Sequence, residues 1–415
     1  MENHEFKTLK FCTLLLLCAS PSAKALTWSE VKAKALETAP SIITGKAEVG
    51  SADAAIDRAK AEFLPSVSSS LSASRRIDSG EKTSSNTYDA GIALDQSLFS
   101  FGKTRAQLNA AKSGKQAALS ELKLSSVTLR AKLAKAWSKV IYLQELAKLG
   151  EKNTVRREAN LQIVKLRYQG GRENKGSVLR TEAAKLQTST ESEEAKANLE
   201  SSKGELSVLI GQDIDRKEIF SGDIETRAPA IPELKNHPHL EALLAKQKQA
   251  DATLVESRRK YFPDLSLSAS ANKSATPNLP LKDPIYQAEV TLKIPVFNPS
   301  TSADVSAALA KSKTTSIALA EASATQKQKA LSTASAFSFA RQKLEVARKI
   351  FEATKLQAEV SRQRYTLGMM SFQDWDSYES DLMRSEGEVL RAKYNLSDAH
   401  ADYLEAIGIA LEEGP

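Results

Sequence analysis

The chain has 415 residues, 41% of them apolar, enough for two or three ordinary domains. Its 58 Lys and Arg against 51 Asp and Glu leave a net charge of +7, but the charges are interspersed. With no basic block and no aromatic-lined basic patch, they read as a solvated surface rather than a nucleic-acid interface. The only cysteines, Cys12 and Cys18, lie close to the N-terminus, which removes disulfide frameworks, thiol catalysis and cysteine metal sites from the rest of the chain.

Residues 1–25 read as a cleaved secretory signal. Lys7 and Lys10 precede the apolar stretch Phe11 to Ala19, and Ala23-Lys24-Ala25 supplies an A-x-A site. Leu17 stands before Cys18, where a lipoprotein would need a small residue. Cleavage after Ala25 starts the mature chain at Leu26. It also takes away three Lys and two Glu, leaving 55 basic and 49 acidic residues, a net +6.

Next, Thr27-Trp28-Ser29-Glu30 reads as a capping box opening a short helix. A helix of about 24 residues is expected from Pro40 to Leu64. Two alternating strands follow. Ser66, Ser68, Ser70, Ser72 and Ser74 share one face of the first, against Val67, Leu71 and Ala73. Tyr88, Ala90, Ile92 and Leu94 oppose Asp89, Gly91, Ala93 and Asp95 in the second. Lys103 to Gln169 has no proline and spans roughly 100 Å if helical. Leu122, Leu129, Leu133, Ala136, Val140 and Leu143 give it coiled-coil spacing. Such a helix needs neighbours along its whole length. Trp137 and Tyr142 on it read as core. A turn at Gly170-Gly171 and a second helix close the unit; no strand precedes that turn and no Gly-Lys-Ser/Thr follows, so it is not a phosphate loop.

The plan then repeats. FLPSVSSSLSAS at 63–74 returns as YFPDLSLSASAN at 261–272, an offset of 198. Pro40 and Pro65 match Pro238 and Pro263; Phe99 matches Phe297. Arg167-Tyr168, Gly171 and Gly211 match Arg364-Tyr365, Gly368 and Gly408 at offset 197. The period far exceeds that of solenoids and implies a duplicated unit: 26–211, a linker at 212–237 containing Pro229 and Pro232, and 238–415. The third strand sets Leu265, Leu267, Ala269 and Ala271 against Ser266, Ser268, Ser270 and Asn272. The fourth sets Tyr286, Ala288, Val290, Leu292 and Ile294 against Gln287, Glu289, Thr291 and Lys293. Four strands of about 10 residues suit an outer membrane, or equally a sheet with one face on a core. In lipid, four strands leave edges that only further chains can close. The serine faces would then line water and their alternates face lipid.

These motifs resemble the TolC family of outer-membrane efflux and secretion channels across the mature chain. The resemblance rests on the two strand openings, on LDQSLFSFGKTRAQLNAAK and LKIPVFNPSTSADVSAALAK, and on RYQGGRENKGSVLR and RYTLGMMSFQDWDS. Asn298-Pro299-Ser300 departs from the Gly-Lys at 102–103, Ser177 stands where the family commonly has an acid, and Met369-Met370 replace a basic residue. The resemblance implies a mainly α fold with a small β part. Long antiparallel α-hairpins and four transmembrane strands per chain would assemble as a trimeric 12-stranded barrel over a periplasmic helical tunnel. It implies a passive exit duct that works with a periplasmic adaptor and an inner-membrane pump, in tripartite efflux or type I secretion. The alternatives are a periplasmic coiled-coil adaptor or scaffold, whose small β-rich domain is not seen here, and a trimeric surface adhesin.

The resemblance also places the functional residues at the helical tips. Tyr365, helped by Arg167 and Arg364, would hold the tip shut, and Asp374, repeated by symmetry, would form an acidic constriction. A solvated helix N-terminus is the alternative role for Asp374; Asp376 and Asp381 fall on other faces. Arg167, Tyr168, Gly171, Arg364, Gly368, Met369, Met370 and Ser371 would make the turns and meet the adaptor. His237 and His239 lack a third ligand and belong to the linker. Arg258-Arg259-Lys260 fits either a head-group contact or a solvated helix end. No catalytic set, cofactor motif or metal site is expected.

Overall fold

A computed structural model describes residues 26–78, 83–214, 219–222, 234–275 and 283–413. The proposed signal, both strand-loop tips and most of the 212–237 segment, including Pro229 and Pro232, lie outside them. The elements run α1 (Trp28–Thr38), α2 (Pro40–Ala61), β1 (Ser66–Asp78), β2 (Thr83–Phe99), α3 (Lys103–Gln169) and α4 (Lys175–Ile210). After a 3₁₀ turn at Leu234–Asn236 come α5 (Pro238–Arg259), β3 (Asp264–Ala275), β4 (Ile285–Lys293), α6 (Pro299–Thr366) and α7 (Phe372–Ile407).

The two halves match element for element. α2 and α5 each have 22 residues, α3 and α6 have 67 and 68, and α4 and α7 have 36 each. Proline at the first helical position starts α2, α5 and α6, where its missing N–H costs nothing. The capping box at Thr27 forms, with Glu30 Oε2 accepting from Thr27 N at 2.9 Å. α2 ends three residues before the expected Leu64, and both α2 and α5 close in single turns that bring Pro65 and Pro263 to the strands.

Shorter helices flank both long ones. α3 packs on α2 and α5 toward the sheet, and on α4 and α7 toward the tips; α6 packs on α5 and then α7. The short helices meet end to end. Gly211, at φ 78°, ends α4 against the α1–α2 joint, where Thr38 Oγ1 donates to Ile210 O at 2.7 Å. Gly408, at φ 82°, ends α7 against the α5 start at His237. Glycine is required at both, because a left-handed backbone and a close approach coincide. A methyl on Gly211 would lie 2.3 Å from Thr38 O.

The best-packed core sits at this mid-height. Trp137 is fully buried with Val31, Leu133, Val140, Leu206 and Ile210; its ring lies 5.3 Å from Phe220 and 6.1 Å from Trp28. Leu26 pairs with Phe220 in an isolated bridge. Of the 212–237 segment, residues 219–222 therefore pack on α3 rather than standing clear of it.

The strands form one antiparallel sheet in the order β1-β2-β3-β4. Register turns the period-two pattern into two continuous faces. Ser66, Asp95, Ser268 and Glu289 make one row of the polar face; Ser70, Gly91 and Asn272 make another, which ends on Ile285 at the start of β4. Val67, Leu94, Ala269 and Ala288 make a row of the apolar face. β1 and β2 exceed the expected length, at 13 and 17 residues, because pairing continues through Arg75, Arg76 and the polar run Thr83 to Thr87.

Candidate functional site: the tips of the helical hairpins

At both tips the chain turns through a Schellman cap. Arg172 N donates to Arg167 O and Met369 N to Arg364 O, each at 2.8 Å, with Gly171 at φ 69° and Gly368 at φ 82°. The following helices are capped from the side chain. Asn174 Oδ1 accepts from Ser177 N at 3.0 Å. Ser371 Oγ accepts from Asp374 N at 3.1 Å and donates to Asp374 Oδ2 at 2.7 Å.

Identical dipeptides at the two tips meet different surroundings. Tyr168 is 44% exposed, whereas Tyr365 is 1% exposed. Tyr365 stacks on Trp375 with ring centroids 4.3 Å apart and planes 5° apart. The Arg167 guanidinium lies 4.4 Å from the Tyr365 ring centre and donates to the Tyr365 carbonyl. The Tyr365 hydroxyl donates to Glu173 Oε2 at 3.0 Å, and Glu173 Oε1 accepts from Ser177 Oγ at 2.9 Å. Burial, then the Glu173 carboxylate, pushes the Tyr365 phenol well above its ordinary pKa, so it stays a donor. The first tip turn is thus fastened to the end of α6 by one tyrosine and one arginine.

A second set of contacts lies deeper. Arg157 Nη1 pairs with Asp376 Oδ1 at 2.9 Å, and Arg157 Nη2 donates to Ser380 Oγ at 2.9 Å. Asn160 Nδ2 donates to Glu379 Oε2 at 3.1 Å, while Arg180 from α4 reaches Asp376 Oδ2 at 3.2 Å. Arg157, Asn160, Asp376 and Glu379 are buried, and they tie α3 and α4 to α7.

The predicted residues therefore divide. Tyr365 and Arg167 come together; Arg364, Gly368 and Met369 are exposed on the second turn, and Met370 packs beside Tyr365. Asp374 is exposed. Sequence reasoning missed Glu173, Trp375, Arg157 and Asn160. The i, i+3 pairs Arg157/Asn160 and Asp376/Glu379 were the available signal, since such spacing puts both polar groups on one helix face. No group of three or more His, Cys, Asp or Glu that could hold a metal occurs among the described residues, nor any helix long and apolar enough to cross a membrane.

The model of the family described as outer membrane efflux protein matches residues 32–212 and 232–408, most of the chain and once in each half. The chain belongs to the outer membrane efflux protein family. Its members are transport channels of the outer membrane. Solved channels share the fold. The Campylobacter jejuni CmeC outer membrane channel is 18% identical, with a TM-score of 0.82 over 93% of this chain and 87% of that one. The outer-membrane channel OprN is 19% identical, with a TM-score of 0.81 over 93% and 90%. The open-state Neisseria gonorrhoeae MtrE outer membrane channel is 20% identical, with a TM-score of 0.80 over 91% and 88%. No curated protein matches by sequence. For this efflux protein family member, the two tip turns lie at the end of the helical hairpins farthest from the sheet.

Proposed function

We propose that three copies of the chain form an exit duct through the outer membrane, as a passive conduit of a tripartite efflux or type I secretion system. The observation that carries this reading is the sheet. It has one continuous polar face and one apolar face on which Leu71 is 87% and Tyr286 77% exposed. Its edges, β1 and β4, have no partner strand among the described residues. Lipid accepts the apolar face but not the open edges, so β1 of one copy must meet β4 of the next. Exposed apolar residues along α6, among them Leu309, Phe339, Val346 and Ile350, and Leu179 and Leu186 of α4 give the helices matching lateral surfaces. The two units, 26–211 and 238–415, supply two strands and one long hairpin each, and residues 1–25 direct export before removal.

In this reading the tips face the cell interior and meet a periplasmic adaptor joined to an inner-membrane pump. Tyr365, Arg167 and Glu173 hold the tip narrow, and three Asp374 side chains line its mouth. Energy comes from the pump. The test is fractionation with electrophysiology: heat-labile trimers in the outer membrane that conduct ions in planar bilayers are expected. A soluble periplasmic monomer would overturn the proposal.

A further inference from the structure

The apolar face of the sheet continues past the strands. A bulge between Ser97 and Phe99 shifts the phase of β2, so that Phe99 sits opposite Leu265, whose other neighbour is Leu292. A bulge of this kind re-aims a side chain; without it Phe99 would point with the serines. The Phe101 ring lies 4.6 Å from Phe99 and 6.2 Å from Phe262. Phe101 has φ 48°, a rare backbone for a bulky residue. Phe63, Tyr261 and Phe297 stand exposed around this cluster.

Cations follow directly on the helix side. The Arg259 guanidinium lies 5.1 Å from the Phe262 ring centre and next to Gly102. Arg58 in the last turn of α2, Arg105 in the first turn of α3 and Arg258 in the last turn of α5 are exposed. The local lysines are already paired: Lys60 with Asp57 at 2.8 Å, Lys103 with Asp264 at 3.6 Å, Lys260 with Asp304 at 2.8 Å. The four arginines have no ion pair among the described residues. Glu62 and Glu256 are the remaining nearby acids, and Glu256 accepts from Gln107.

We propose that Arg58, Arg105, Arg258 and Arg259, on the helix side of the rings of Phe99, Phe101 and Phe262, bind the phosphates of anionic phospholipid in the leaflet on the helix side. The inference rests on the sheet lying in a membrane. Rings at the acyl boundary with basic groups just beyond are what a lipid head-group layer accommodates. Guanidinium forks fit phosphate oxygens bidentately. Four cations lacking carboxylate partners select an anionic lipid, because a zwitterionic headgroup brings its own ammonium.

The test uses the full chain in nanodiscs of phosphatidylcholine with and without phosphatidylglycerol, bound lipid being counted by native mass spectrometry. Phosphatidylglycerol should be retained preferentially, by roughly fivefold per cation engaged. The Arg258→Gln/Arg259→Gln variant should lose most of that preference, and Arg58→Gln/Arg105→Gln, which leaves the Phe262 contact intact, should lose part of it. Lys349→Gln, an exposed α6 position in the tip half, should keep it. An unchanged lipid ratio in both arginine variants overturns the collar, as does displacement of phosphatidylglycerol by equimolar inorganic phosphate. Flotation with liposomes separates the two levels. A chain that floats without lipid preference overturns the collar alone, and one that does not float overturns the membrane reading with it.

Discussion

Arg157 and Asp376, 219 residues apart in the chain, form an ion pair of 2.9 Å with each side chain only 9% exposed. The pair joins the first long helix, α3, to the last helix, α7. A buried pair contributes little net stability over an apolar substitute, but removing one partner strands the other. Arg157→Met should therefore cost about 3–5 kcal/mol, softened by Arg180, which also reaches Asp376. The thermal melting temperature of the purified protein checks it. The double variant Arg157→Met/Asp376→Leu should recover much of the loss; a double variant as weak as the single one would mean that the charges themselves are needed.

The gating role proposed for the Tyr365 hydroxyl can be tested apart from its place in the core. Tyr365→Phe keeps the stack on Trp375 and removes only the bond to Glu173. A bond to a charged acceptor is worth about 1.5–3 kcal/mol. If the tip opens by freeing Glu173, the variant should show longer or larger open events in planar bilayers with little change in trimer stability. Glu173→Gln added to it should have almost no further effect, because Tyr365→Phe has already removed the contact between Glu173 and α6. Additive effects on gating would place Glu173 outside the latch.

Much of this architecture was legible because it depends on simple periods. The 198-residue offset anticipates the paired 22-residue helices, and serine alternation anticipates the row of Ser70, Gly91 and Asn272. Three things were hidden. Strand ends ran on because polar residues pair as well as apolar ones where no core decides. The bulge before Phe99 breaks the period, so a strict alternation misassigns that ring. The inequality of Tyr168 and Tyr365 arises from a tertiary partner: Trp375 stacks on Tyr365, while the corresponding position in the first half is Val178. Local sequence identity cannot report which neighbour arrives across the interface.

Two glycines with the same backbone sign should respond unequally to alanine. Gly171 has φ 69° and open space around it, whereas at Gly211, with φ 78°, a methyl would meet Thr38 O at 2.3 Å. Gly171→Ala should cost roughly 1–2 kcal/mol, the left-handed penalty alone. Gly211→Ala adds a backbone collision at the mid-height joint and should cost clearly more. Urea midpoints of the two variants measure this, and equal losses would show that the joint yields freely.

His237 makes the second joint sensitive to pH. Its Nδ1 accepts from His239 N at 3.2 Å, and Nε2 lies 3.4 Å from Glu405 O and 3.2 Å from the Gln326 amide. Burial lowers its pKa below 6.5; His239 and Lys329 act in the same direction, and the Glu405 carboxylate and carbonyl oppose them. The folded chain thus holds the neutral ring. Stability from this site is complete above pH 6.5 and is lost as pH falls through the depressed folded-state value. Protonation would also cancel the Nδ1 acceptor that caps α5. The melting temperature should fall more steeply below pH 6.5 than it does in His237→Gln. Parallel curves would remove His237 from the account.

Asp374 caps α7 locally and is proposed to line the constriction, and one substitution distinguishes the two. Its backbone N–H and its carboxylate both bond Ser371 Oγ at the start of α7, a purely local cap. The same carboxylate is exposed at the tip, where a threefold axis would bring three copies together. A ring of carboxylates favours cations and holds divalent ions. Asp374→Asn keeps an oxygen that can accept from Ser371 Oγ, and the cap itself is the Ser371 hydroxyl, so stability should change by less than about 1 kcal/mol. Block by divalent cations should nevertheless weaken by about tenfold or more, since removing three charges from one narrow site takes away most of its field. Single-channel recording with the cation titrated from the tip side decides between the roles. A normal block in Asp374→Asn, with trimer melting unchanged, would assign Asp374 to the cap and the constriction to other residues.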